Sequence, residues 1–75
     1  MSTVEYQDCV HQIGTVAGLV WQTLYEEQPI SVAKLARTVE APRDIVMQAV
    51  GWLAREGKVE IEETSRGRVI RLGDI

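Results

Sequence analysis

The spacing of apolar residues changes once along the chain, and the change separates two kinds of structure. Up to about residue 56, apolar residues recur every three or four positions, which is the period of a helix with one buried face. From Lys58 onward they alternate with polar residues, which is the period of a strand with one buried face. The pattern therefore predicts helices followed by a C-terminal hairpin.

The first predicted helix begins near Asp8, a suitable N-cap residue, and ends at about Glu26 or Glu27. Residues 1–7 are polar and show no helical period, so we expect them to fray. One stripe of this helix is predicted to be buried, and it consists of Val10, Ile13, Ala17, Val20 and Leu24.

A second stripe on the same helix contains Gly14, Gly18, Trp21 and Tyr25. Two glycines inside a helix cost about 1 kcal/mol each relative to alanine, so the close approach of another helix is the expected reason for them. That helix can belong to the same chain, or Gly14 and Gly18 can form part of a homodimer surface. The sequence leaves both explanations open.

Pro29 interrupts the helical pattern, and the segment around Pro29 and Ile30 can form a short third strand. Ser31 then provides the N-cap of a second helix, predicted from Val32 to about Thr38 or Val39. Its inward residues are predicted to be Val32, Leu35 and Ala36.

A third helix is predicted from Pro42 to about Glu56, with Gly57 as the residue that ends it. At 100° per residue, the buried face is predicted to contain Val46, Ala49, Val50 and Leu53. The opposite face, available to a partner, contains Asp44, Gln48, Gly51 and Arg55.

The predicted hairpin starts at Lys58, turns at residues 64–67 and returns from Arg68 to Leu72. Its inward residues are predicted to be Val59, Ile61, Ile70 and Leu72. In this register Arg71 lies opposite Glu60, so we assign Arg71 a structural role as a cross-strand partner.

The order of these elements resembles winged helix-turn-helix domains over residues 8–73. More narrowly, the strings IGTVAGLVWQTL and VGWLAREGKVEIEE are similar to a family of short prokaryotic winged-helix proteins catalogued as a domain of unknown function. The resemblance implies an α+β fold in one domain over residues 1–75, with three helices and a C-terminal β-hairpin, the wing. Winged helices in general imply DNA binding, whereas the narrower family implies no established activity.

The charge distribution bears on that expectation. The net charge of the chain is −3, which counts against a nucleic-acid partner. However, residues 1–33 contain four acids and no Lys or Arg, a sum of −4, whereas residues 34–75 contain all eight bases and seven acids, a sum of +1. Such asymmetry is typical of a binding face in the second half of the chain.

The candidate contacts to double-stranded DNA lie on three elements: Arg43, Gln48 and Arg55 on the third helix, Arg66 and Arg68 on the wing, and Lys34 and Arg37 on the second helix. These charges can equally be solvated surface groups. The third helix has few side chains that could read bases, because Asp44 is repelled by phosphate and Gly51 has no side chain.

The alternative function is a module for protein interaction or homodimerisation that does not bind nucleic acid. Its surface would be Met47, Gly51 and Trp52, or the stripe of Gly14 and Gly18. Two environments are open for Trp52. It packs on the first helix near Trp21, or it is an exposed anchor together with Met47 and Ile45.

The sequence favours no catalytic or metal-binding function. His11 and Cys9 are the only residues of their kinds, and with Asp8 they lack a second pair of metal ligands. There is no glycine-rich phosphate loop, so we predict no cofactor, no metal and no enzymatic activity. No apolar run is long enough for a membrane span and the N-terminus is acidic, which predicts a cytoplasmic protein.

Overall fold

A computed structural model describes the backbone of residues 3–73 and the side chains of residues 8–73. Three strands form one antiparallel sheet in the order β1-β3-β2. The predicted α+β fold is confirmed, including the short strand beside Pro29. The elements are α1 (Thr3–Glu26), β1 (Ile30–Ser31), α2 (Val32–Thr38), α3 (Arg43–Arg55), β2 (Val59–Thr64) and β3 (Gly67–Leu72).

Helix α1 is longer than its hydrophobic pattern indicates. It begins at Thr3, so the predicted start near Asp8 is wrong, and Asp8 lies inside the helix. The backbone of residues 3–7, predicted to fray, is helical, whereas residues 1 and 2 lie outside the described part. The sequence of residues 3–7 has no apolar stripe, and hydrophobic periodicity detects a helix only where such a stripe exists.

One core joins the three helices to the sheet. Val16 belongs to it although it was not predicted, whereas Val10 and Ile61 were predicted to be buried and are 52% and 42% exposed. Val10 lines an open hollow together with Gln48 and Trp52 of α3, which leaves about half of it exposed. The buried residues are Val16, Ala17, Val20, Leu24, Ile30, Leu35, Ala36, Val39, Val46, Ala49, Val50, Leu53, Val59 and Ile70.

Helix α3 passes into the hairpin through one tight turn. Gly57 adopts φ +76°, a left-handed conformation that glycine takes without strain. The Lys58 amide then donates to the Leu53 carbonyl at 2.9 Å, which ties the start of β2 to the last turn of the helix. The predicted helix end is therefore confirmed, and the direction of the wing is fixed by the end of α3.

Gly73 closes the sheet against this turn, and we expect Gly73→Ala to destabilise the domain. The Gly73 amide donates to the Lys58 carbonyl at 2.8 Å. A Cβ at Gly73 would lie 2.5 Å from the Gly57 carbonyl oxygen and 3.1 Å from the Lys58 carbonyl carbon. Both are backbone atoms that cannot rotate away, so the free energy of unfolding should fall by about 1–3 kcal/mol in a urea titration.

The control for this variant is Gly51→Ala. No atom lies within 4 Å of a Cβ built at Gly51, which is on the exposed side of α3. Alanine is the better helix former by up to about 1 kcal/mol, so this variant should be at least as stable as the wild type. A Gly73→Ala protein as stable as Gly51→Ala would contradict the close approach at Gly73.

Candidate nucleic-acid interface

Helix α2 begins after the N-cap residue that the sequence predicts, Ser31. The Ser31 hydroxyl accepts a hydrogen bond from the Lys34 amide at 3.0 Å, and Leu35 and Ala36 are buried. Lys34 and Arg37 are consequently exposed on the outer side of the helix. The Lys34 ammonium lies 3.6 Å from the Glu27 carboxylate, so part of its charge is already compensated.

Helix α3 faces the way its pattern predicts. Val46, Ala49, Val50 and Leu53 are buried, and Asp44, Gln48, Gly51 and Arg55 are exposed.

Asp44 has a local structural reason to be on the exposed face of α3. Its carboxylate accepts a hydrogen bond from the Ile45 amide at 2.9 Å, in the first turn of the helix. A negative charge stabilises a helix N-terminus through the helix dipole. Asp44 thus stabilises α3 at a position where a helix that reads bases would carry a hydrogen-bond donor.

The tip of the wing is held by Thr64. Its hydroxyl donates to the Gly67 carbonyl at 2.8 Å and accepts from the Arg66 amide at 3.2 Å. Arg66 and Arg68 are exposed on either side of Gly67, as predicted. Arg68 has Glu63 as its direct cross-strand neighbour, yet the two side chains form no ion pair within 4 Å.

Arg71 differs from the two tip arginines because its charge is paired with carboxylates of the neighbouring strand β2. Its guanidinium lies 3.2 Å from the Glu60 carboxylate and donates to the Glu62 carboxylate at 3.0 Å. The hydrogen bond with Glu62 and the charges of both carboxylates raise the pKa of Arg71. The predicted cross-strand pairing of Arg71 with Glu60 is confirmed. Glu62 was missed as a partner, and it is the diagonal neighbour on the same sheet face.

The basic residues therefore differ in whether an acidic group of the protein already compensates their charge. Among the side chains of residues 8–73, five arginines have no acidic group within 4 Å. Two are on the wing, two on α3 and one on α2. They are Arg37, Arg43, Arg55, Arg66 and Arg68.

The two glycines of α1 do not serve packing within the chain. No other part of the described chain comes within 4 Å of a Cβ built at Gly14 or Gly18. The predicted close packing of a helix of the same chain on these glycines is therefore wrong. Beside them, Trp21 and Tyr25 stack with ring centroids 5.4 Å apart, and their side chains are 40% and 67% exposed.

A groove runs between α1 and α3, and Trp52 divides it into two hollows. Trp52 is 49% exposed and lines both hollows. One hollow, of about 290 Å³, is lined by Gly14, Ala17, Gly18, Trp21, Trp52, Leu53, Glu56 and Lys58. The other, of about 320 Å³, is lined by Val10, Ile13, Gly14, Gln48 and Trp52.

Trp52 is thus both near Trp21 and exposed, which combines parts of the two predicted alternatives. Met47 and Ile45, its companions in the second alternative, are both partly buried. Met47 also lies about 140° around α3 from Trp52, at 100° per residue. Gly51, between them in the sequence, is exposed but lines neither hollow. Most of the apolar residues that line the hollows with Trp52 are on α1; Trp21 was named in the first alternative, whereas Val10 was predicted to be buried.

Other kinds of site find no support in the described residues. Residues 8–73 contain no group of three or more His, Cys, Asp or Glu side chains placed to hold a metal ion. In the part of the chain that the structure describes, no helix combines the length and the apolar character that a membrane crossing needs.

A Ser-capped helix, a turn, a longer helix and a hairpin whose returning strand also pairs with β1 define a winged helix-turn-helix domain. The chain belongs to the family described as Winged helix-turn-helix domain (DUF2582), whose model matches residues 9–72. The predicted resemblance is confirmed.

A solved structure supports the same fold. The chain is similar to protein BT2368 from Bacteroides thetaiotaomicron, solved by solution NMR, with 42% sequence identity. The match covers 83% of this chain and 76% of that chain, with a TM-score of 0.73. No curated protein matches the chain.

Proposed function

We propose that this domain binds double-stranded DNA mainly through the phosphate backbone, with the wing contributing more than the recognition helix. One observation carries the proposal: five arginines on α2, α3 and the wing of a winged helix have no acidic partner within 4 Å among the described residues. Winged helices generally bind DNA, and arginine is well suited to phosphate contacts. The function is binding, without catalysis, in the cytoplasm.

The wing is the strongest part of the proposed contact surface. Arg66 and Arg68 project from a tip that is ordered by the two hydrogen bonds of Thr64. Holding the tip in place lowers the conformational entropy lost on binding. The neighbouring charge of Arg71 is already neutralised by two carboxylates, so it adds little to the contact with phosphate.

On helix α3, the proposed phosphate contacts are at the two ends of the helix and not in its middle. Arg43 and Arg55 are 12 residues apart, about 18 Å along the axis, and Gln48 is the uncharged polar side chain exposed between them. Because phosphate contacts position a protein without reading bases, this distribution favours binding with a weak sequence preference. Any selectivity would come from the shape and deformability of the duplex.

The test is a binding titration with duplex DNA at several salt concentrations. If three or four bases contact phosphates, the logarithm of the association constant should fall with the logarithm of the salt concentration at a slope of about −3. Two duplexes of unrelated sequence should give similar constants. An absence of salt-sensitive binding below micromolar concentration at low salt would contradict the proposal.

A second candidate function, protein interaction without nucleic acid, is supported by the exposed groove around Trp52. That groove uses Gln48 but none of the wing arginines. An interaction through the groove is therefore compatible with DNA binding by the wing.

A further inference from the structure

We infer that Glu63 lowers the affinity of the wing for DNA by competing with phosphate for Arg68. The inference rests on the proposed DNA binding and names a residue that limits it. Its basis is the strand register of the hairpin, which sets Glu63 directly opposite Arg68. Arg66, the other tip arginine, is in the turn between the strands and has no cross-strand neighbour.

The hydrogen-bonding pattern of the hairpin determines how close Glu63 and Arg68 are. Opposed residues of antiparallel strands alternate between hydrogen-bonded and non-hydrogen-bonded pairs, and side chains are closer in the second kind. The Gly73 amide donates to the Lys58 carbonyl, which makes these two residues a hydrogen-bonded pair in the same register. Glu63 lies five residues further along the strand than Lys58, so Glu63 and Arg68 form a non-hydrogen-bonded pair.

A second Glu–Arg pair on the same hairpin shows that these side chains can meet across the strands. Glu60 and Arg71 form a hydrogen-bonded pair, which is the more widely spaced kind, and their charged groups are 3.2 Å apart. Glu63 and Arg68 start from the closer kind of pair, so the Glu63 carboxylate is within reach of the guanidinium. Because no ion pair within 4 Å is formed, Arg68 is also free for a phosphate.

Each face of the hairpin thus has its own acid–arginine pair. Directly opposed residues point to the same side of a sheet, and successive residues of a strand point to opposite sides. Glu60 and Arg71 are therefore on one face, and Glu63 and Arg68 are exposed on the other. A phosphate that contacts Arg68 lies next to the Glu63 carboxylate, which repels the phosphate and attracts the same guanidinium. Both effects weaken the contact of Arg68 with DNA.

The experiment measures affinity for a labelled duplex by fluorescence anisotropy at about 0.1 M salt, where charges more than about 10 Å apart are largely screened. Glu63→Gln keeps the size of the side chain and removes its charge. The association constant should rise by about 2- to 5-fold, which is the range expected for one cross-strand ion pair. Circular dichroism should show an unchanged fold, since Glu63 is exposed and forms no ion pair in the described structure.

Two arginine variants separate the effect of the pair from that of net charge. In an R68A chain, Glu63→Gln should give no gain in affinity, because the phosphate contact that Glu63 opposes is absent. In an R66A chain, which has the same net charge and the same wing, the gain should remain. Equal gains in the two chains would overturn the inference and assign the effect to net charge.

A structural role for Glu63 gives a different result. Strand β2 is at the edge of the sheet, and charged residues on such a strand prevent pairing with strands of other molecules. If that were the whole role of Glu63, Glu63→Gln would leave the affinity for DNA unchanged, and the inference would be wrong. The proposed function is tested separately by the wild type: without salt-sensitive binding to the duplex, DNA binding itself is contradicted, and the inference with it.

Discussion

Leu24→Ala is expected to lower the free energy of unfolding by about 2–5 kcal/mol. Leu24 is fully buried in the core cluster that α1 shares with the other two helices and the sheet. A 75-residue domain has a total stability of roughly 4–11 kcal/mol, so this one change removes a large part of it. A urea titration followed by far-ultraviolet circular dichroism measures the loss directly.

Leu19→Ala is the matched control, on the same helix and with the same change in side chain. Leu19 is 42% exposed and outside the core cluster, so this variant should differ from the wild type by no more than about 0.5 kcal/mol. Similar losses for Leu19→Ala and Leu24→Ala would show that α1 does not bury the face described above.

The second large effect is expected on DNA affinity. Replacing both wing arginines, R66A/R68A, should weaken duplex binding by roughly 10- to 100-fold at low salt, because two charge-assisted phosphate contacts are lost. The fold should be unaffected, since neither side chain is buried or ion-paired in the described structure. Fluorescence anisotropy with a labelled duplex measures the change.

The double variant K58A/R71A gives the same change in net charge on the same hairpin. Both of its residues are at the base of the wing, and Arg71 is already neutralised by Glu60 and Glu62. We expect a clearly smaller loss of affinity than for R66A/R68A. Equal losses in the two variants would mean that net charge, and not the wing tip, governs binding.

The second half of the fold follows closely from local sequence signals. Pro42 and Gly57 bracket α3, and between them the helical period correctly predicted four buried and four exposed residues. The cap at Ser31 is equally local, and the pairing of Arg71 with Glu60 follows from the register of one hairpin; both were predicted. Where the determinants lie within one helix or one hairpin, the sequence was sufficient.

The errors occur where burial depends on how closely a neighbouring element packs. Val10 and Ile61 have the right period for a core residue, but Val10 borders an open hollow beside Gln48 and Trp52 of α3. Ile61 is on the inner face of β2 opposite Ile70, yet it lies two residue pairs closer to the exposed wing tip than Val59 does. Periodicity gives the face on which a residue lies and not how closely a neighbouring element covers it.

The candidate site was likewise predicted only in part. The exposed face of α3 and the tip arginines were predicted, because period and turn chemistry place them. The groove between α1 and α3 was not predicted, although one alternative placed Trp52 near Trp21, because the shape of the groove depends on how α1 packs on α3 and no local pattern contains that packing. The open space above Gly14 and Gly18, which argues against close packing by a helix of the same chain, was likewise not visible in the sequence.

The measurement that tests the central proposal most directly is the difference in salt dependence between the wild type and R66A/R68A on one duplex. Each phosphate contact contributes about 0.9 to the slope of the logarithm of the association constant against the logarithm of the salt concentration. The proposal predicts a wild-type slope of about −3 and a slope shallower by about 2 in the variant. Identical slopes in the two proteins would contradict a DNA contact made by the wing.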